Sequence, residues 1–161
     1  MIRLIGLGLI AAAAAGYGML AARSVKRELR LFEGFYALAG HLRLRIACFN
    51  QPLSEIYRDF TDEALEEAGF LGLLRAGIPF PEALLKRREA LGLRPELFSL
   101  LFSFGQGLGV SYQAEQVRHC EAFLGEGEAR LSALRAEARG RIRLVRGLSA
   151  AAAALTILLL W

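Results

Sequence analysis

Apolar side chains recur at spacings of three and four along most of the chain, and no stretch alternates with period two for long enough to make a strand. The pattern predicts an all-α protein, an antiparallel helical bundle. Two stretches break the amphipathic rhythm by carrying no charge at all. Residues 4–22 (LIGLGLIAAAAAGYGMLAA) are nineteen in a row, enough at 1.5 Å per residue to cross roughly 30 Å of hydrocarbon. Residues 147–161 (GLSAAAAALTILLLW) are fifteen, about 22 Å by the same rise. Arg143 and Arg146 extend that reach by laying their methylenes along the apolar zone, and Trp161 suits the far interface. The expected organisation is a transmembrane helix over 4–22, a helical bundle domain over 23–146 and a second, short transmembrane helix over 147–161.

The charges beside these runs set an orientation. Arg23, Lys26, Arg27 and Arg30 follow the first, and Arg135, Arg139, Arg141, Arg143 and Arg146 precede the second. Basic residues flanking a span stay on the cytoplasmic side, so 23–146 is expected in the cytoplasm of a protein held in the cell membrane. The same residues suit contact with anionic lipid headgroups. A cleaved signal peptide is the rival reading of the first run, with Arg3 as its basic start and Met19-Leu-Ala-Ala22 near a cleavage point. It would make the protein an exported helical binding protein. The basic cluster immediately after the run resists such export.

Composition fits this division. With 55% hydrophobic residues and a mean hydropathy of +0.37, the 161-residue chain is more apolar than a core alone requires. The net charge of +4 raises the question of nucleic acid. Yet residues 31–134 hold ten basic and fourteen acidic side chains, so the basic excess sits at the two flanks and no nucleic-acid partner is expected. Two cysteines exclude a disulfide-stapled scaffold.

Within the domain, Val25, Leu29, Phe32, Tyr36, Ala39 and Leu42 continue one stripe out of the first run until Asn50-Gln-Pro52 breaks it. Pro52 starts a short helix ending near Phe60, and Thr61 is placed to cap a helix from Asp62 to Ala76, stopped by Gly77. Pro81 starts the next, ended by Gly92. Pro95 starts another that stacks Leu97, Leu100, Leu101 and Phe104 on one face before Gly105, Gly107 and Gly109 break it. Ser111 then caps a long helix running into the second apolar run, with Gly125, Gly127, Gly140 and Gly147 as positions for bends.

Candidate chemistry is sparse. No phosphate-binding Gly-Lys-Ser/Thr loop is present, and Gly105-Gln-Gly-Leu-Gly109 follows a helix where a dinucleotide fingerprint follows a strand. His41 with Cys48, and His119 with Cys120, lack zinc-site spacing. No catalytic residue, metal, cofactor or small-molecule substrate is expected, and the protein reads as a non-enzyme. Asp59, Asp62, Glu63, Glu66 and Glu67 fall within nine residues, spaced so that Asp59, Asp62, Glu63 and Glu66 share one face if the Thr61 junction does not turn them apart. That patch is a candidate partner-binding surface, with simple solubility as the alternative.

The layout as a whole resembles the stage III sporulation protein AB family, short proteins with a hydrophobic segment at each end and a helical cytoplasmic domain between. The likeness is carried by Ile2-Arg-Leu-Ile-Gly6, Ala22-Arg-Ser-Val-Lys-Arg27, Asn50-Gln-Pro-Leu-Ser-Glu55 and Gly77-Ile-Pro-Phe-Pro-Glu-Ala-Leu84. Above all it is carried by Leu101-Phe-Ser-Phe104-Gly105-Gln-Gly-Leu108-Gly109 with Gln116 following. The family commonly has Ser-Asp after the glycine corner, where this chain has Ser111-Tyr112. The resemblance implies a platform or scaffold subunit of a sporulation transenvelope channel in the mother-cell membrane around the forespore. It also implies a domain similar to that of the type II secretion and type IV pilus platform protein, and as partners a cytoplasmic secretion-type ATPase and other channel subunits. An unrelated small membrane assembly factor would share the topology, and a sporulation assay separates the two.

Overall fold

In the computed structural model, residues 2–49, 51–110 and 112–160 are described, with side chains described for 23–49, 51–110, 112–144 and 147. The membrane-span assignment of 4–22, that of 147–161 except Gly147, and the Ser111 cap lie outside the residues whose side chains are described. Among the described residues no helix is long and apolar enough to cross a membrane.

Those residues form eight helices and no strand: α1 (Ile2–Phe49), α2 (Leu53–Asp59), α3 (Glu63–Glu67), α4 (Phe70–Arg75), α5 (Phe80–Lys86), α6 (Arg88–Leu91), α7 (Pro95–Gly107) and α8 (Gln113–Leu160). The all-helical class follows from the three-and-four spacing of the apolar residues. The chain divides into two compact units, one of Met1–Arg27 with Ala133–Trp161 and the other of Glu28–Ser132.

In the Glu28–Ser132 unit, α1 and α8 run antiparallel. The Phe32 ring lies tilted against Phe123 at 6.4 Å, Arg43 pairs with Glu121 at 3.3 Å, and Gln113 Nε2 donates to Ile46 O at 2.7 Å. Gly127 is a point of close approach, since a β-carbon there would meet the Tyr36 ring at 3.2 Å. The inward stripe of α1 is wider than the one read from sequence, with Leu31, Phe35, Leu38 and Ile46 buried beside Phe32, Ala39 and Leu42. Each fully buried Leu or Phe side chain contributes about 1.5–3 kcal/mol.

The short helices correct several boundaries. Asp62, not Thr61, caps α3: its backbone is extended and its Oδ1 accepts from Leu65 N at 3.0 Å. The carboxylate has room because Gly34 on α1 carries no β-carbon, which would meet Asp62 Oδ1 at 2.6 Å. The helix foreseen from Asp62 to Ala76 is two helices, because Gly69 takes a left-handed conformation (φ +69°) between α3 and α4. The one foreseen from Pro81 to Gly92 breaks at Arg87, which closes α5 and opens α6 before Gly92 (φ +57°) ends it. Conversely, α7 does not break at Gly105 but continues to Gly107. α8 runs unbroken through Gly125, Gly127, Gly140 and Gly147, since a single glycine costs a helix only about 1 kcal/mol.

Charged side chains tie the layers together. Glu28 on α1 is buried and accepts two bonds from Arg94, one from its backbone N–H at 2.9 Å and one from Nε at 2.7 Å. This holds the entry to α7 against α1. Arg75 at the end of α4 donates to Phe60 O at 2.7 Å and to Tyr57 O at 3.3 Å, satisfying carbonyls at the end of α2 that the helix itself leaves open.

Candidate functional site

The residues of the glycine corner converge on the core and on an open apolar groove. Phe104 is the hub of an aromatic cluster. Its ring meets Phe80 edge-on at 5.6 Å, stacks on Phe123 at 4.3 Å and lies flat against His119 at 5.4 Å. Phe80 in turn meets Phe35 and Phe70 edge-on, so α1, α4, α5, α7 and α8 share one ring system. Such pairs contribute about 0.5–1.5 kcal/mol beyond the area they bury.

Gly105 and Gly109 serve two different needs. Gly105 is buried inside α7, where a β-carbon would meet Phe80 Cδ1 at 2.5 Å, so its missing side chain is what lets α5 approach. Gly109 takes a left-handed conformation (φ +80°) in the turn leaving α7, beside Leu53. His119 completes the corner. Its Nε2 lies 2.8 Å from Phe104 O, and since a carbonyl only accepts, that nitrogen carries the proton and caps the end of α7. A β-carbon at Gly107 would collide with this imidazole. Gln116, the last member of the motif, is half-buried near the start of α8.

The groove has a volume of about 250 Å³ and is floored by Tyr57, Phe80, Gly105 and Leu108. Leu53 of α2 and the Ile78-Pro79 turn form its walls. It therefore gathers three segments that lie far apart in sequence, those after Asn50, after Gly77 and after Phe104. Its size falls below the roughly 300–1,000 Å³ of typical small-molecule sites. Burial pushes the Tyr57 hydroxyl above the ordinary tyrosine range, so it stays protonated.

The acidic residues fall on α2, on α3 and on the cap between them. Asp59 ends α2, where Arg45 Nη2 stands 4.0 Å from its Oδ2. Asp62 is used as the cap of α3. Glu66 pairs with Arg75 at 2.9 Å, while Glu63 and Glu67 stand exposed on α3. The extended backbone at Phe60 and Asp62 divides α2, which carries Asp59, from α3.

The soft-ligand residues lie in different surroundings. Cys120 is fully buried, and burial pushes its thiol up to about 11 despite the opposing pull of Arg43. His41 lies 5.4 Å from the Phe60 ring with its Nε2 buried and lacking a hydrogen-bond partner. Burial, helped by Arg45 and opposed by Asp59, lowers its pKa. Among the described residues no three His, Cys, Asp or Glu side chains gather as a metal site requires. Sequence reading missed Glu28, Arg75, Arg94 and the capping role of His119. Only Arg94 carried a local signal, standing just before the helix-starting Pro95.

These features define a class, an all-helical protein in which two long helices and a set of short ones share an aromatic core, with a groove to which its most distinctive motif contributes Gly105 and Leu108. Within that class the chain belongs to the stage III sporulation protein AB family, whose family model matches residues 3–161. Comparison with curated proteins and with solved structures returned no match. Family membership supports a role in sporulation.

Proposed function

We propose that the protein is a non-enzymatic platform subunit of a sporulation transenvelope channel, anchored in the membrane at both ends and engaging a cytoplasmic secretion-type ATPase. The observation that carries this reading is that the two charge-free runs lie on α1 and α8 and that the ends of those helices belong to one compact unit, Met1–Arg27 with Ala133–Trp161. Two runs that each have basic residues on the side facing 23–146, and that belong together, read as a paired anchor with its domain on the cytoplasmic side. The channel, the ATPase and the mother-cell membrane enter through the resemblance to the family.

The exposed carboxylates Glu63 and Glu67 are the part of the acidic patch open to a partner, and an arginine-bearing subunit would relieve their repulsion. The test of the whole reading has two arms. A reporter fused after Pro52 is expected to behave as cytoplasmic and one fused after Trp161 as external. Disruption in the source organism is expected to block sporulation. An external signal after Pro52, or normal spore formation without the protein, overturns the reading.

A further inference from the structure

We infer that the unit made of residues 1–27 and 133–161 carries a cationic surface that binds the anionic headgroups of a membrane. The inference rests on the anchoring proposed above and adds a lipid preference to it.

That unit holds nine basic side chains and one acidic one, Glu137. Glu137 Oε1 accepts from Arg141 Nη2 at 3.2 Å, one turn away on the same helix. One carboxylate among nine basic side chains leaves the unit with a strong positive excess. The cations are also ordered. Arg23, Lys26 and Arg27 are exposed on α1 at spacings that put them on one helix face, and Arg135, Arg139 and Arg143 are exposed on α8 at successive intervals of four. The buried positions, Val25 on α1 and Leu134 and Ala138 on α8, alternate with them at helical spacing and turn inward. The result is an apolar seam with arginines and a lysine displayed outward, within reach of one another's fields at ordinary salt.

The position of these charges in the sequence selects the anion. Each set directly adjoins a charge-free run on its own helix, so the anions it meets are those at the plane where such a run enters lipid. Clusters of four to eight Lys and Arg residues beside a span are the pattern that anionic lipid recognises. A free polyanion is the poorer fit, because residues 31–134 hold fourteen acidic side chains against ten basic ones.

The test uses the purified full chain in neutral detergent, titrated with dioctanoyl phosphatidylglycerol and, separately, with dioctanoyl phosphatidylcholine, with bound lipid read by native mass spectrometry. The glycerol lipid is expected to bind about tenfold more tightly at roughly 50 mM salt and to lose most of that preference at roughly 300 mM. The triple variant Arg135→Gln, Arg139→Gln, Arg143→Gln is expected to lose the preference. The double variant Arg23→Gln, Arg27→Gln does the same from the other helix, so misfolding of one variant leaves the other to decide. Equal binding of the two lipids, or an unchanged preference in both variants, overturns the proposal, as does a DNA duplex that binds more tightly than the glycerol lipid at the same salt. Anchoring is read separately by alkaline carbonate extraction of membranes. Release of the wild-type chain refutes the anchor, whereas a retained chain without lipid preference refutes only the cationic surface.

Discussion

Phe80 occupies the space that a side chain at position 105 would need: a β-carbon on Gly105 would stand 2.5 Å from Phe80 Cδ1. The ring has little freedom to withdraw, since Phe35, Phe70 and Phe104 surround it at 6.1, 5.1 and 5.6 Å. Gly105→Ala is therefore expected to destabilise the protein by about 1–3 kcal/mol through overpacking. Gly109→Val is expected to cost a similar about 1–3 kcal/mol for a different reason, the left-handed backbone that a β-branched residue resists. Thermal melting of the purified full chain measures both, and an unchanged melting temperature for either variant would show that glycine to be incidental.

The Glu28 and Arg94 pair predicts an asymmetric response to mutation. Glu28→Ala leaves the Arg94 backbone N–H without its acceptor and is expected to cost about 1–3 kcal/mol. Arg94→Ala removes the Nε bond and the cation that faces a buried carboxylate, and is expected to cost more. Denaturant midpoints of the two single variants and the double variant give the comparison, with the order of the singles as the critical outcome.

Acid stability should depend on His41. Its native pKa is lowered from 6.5, chiefly by burial, so the unfolded chain takes up the proton first. The neutral ring thus contributes stability above about pH 6.5 that is lost as pH falls from there through the lowered native value. Replacing the ring by phenylalanine, which fits beside Phe60 and has no Nε2 to leave unpaired, is expected to remove this part of the pH dependence. The difference in unfolding free energy between His41→Phe and wild type, followed from pH 8 to pH 5, should widen in favour of the variant as pH drops. A constant difference refutes the assignment.

The cysteines should differ in reactivity. Cys48 is exposed, whereas Cys120 is buried with its thiol pushed up to about 11. Because the thiolate is the nucleophile, iodoacetamide at neutral pH is expected to label Cys48 and to spare Cys120 until the protein unfolds. Peptide mapping reads this directly, and equal labelling of the folded chain would contradict the packing of α8 against α1.

The acidic residues should separate into structural and exposed members. Asp62→Ala is expected to cost about 0.5–2 kcal/mol, the usual penalty for losing an N-cap. Glu63→Lys with Glu67→Lys is expected to leave stability within about 0.5 kcal/mol, as for surface sites, while weakening capture of partners at low salt. If the reversed variant holds every partner with unchanged salt dependence, these carboxylates only solvate the surface.

Family membership and the all-helical class were legible along the chain because both are written in local terms. Helical spacing of Leu97, Leu101 and Phe104, the prolines that open α5 and α7, and the glycines that end α4 and α6 each act within a turn or two of their own position. The same holds for the charge-free runs and their basic flanks, which any reader of the sequence can count. What lay beyond sequence was every choice between two local outcomes that a distant residue settles. Gly69 bends the chain while Gly125 and Gly140 do not, although nothing adjacent separates them. Asp62 could take the cap from Thr61 because Gly34, twenty-eight residues earlier, leaves its carboxylate a place on α1. Gly105 stays helical because Phe80 fills its missing side chain, and the acidic residues part because α2 ends where Arg75 returns to bind its last carbonyls. Propensity ranks the options at each position by about 1 kcal/mol or less. Packing against α1 and the aromatic cluster involves several times that energy, and so it decides among them.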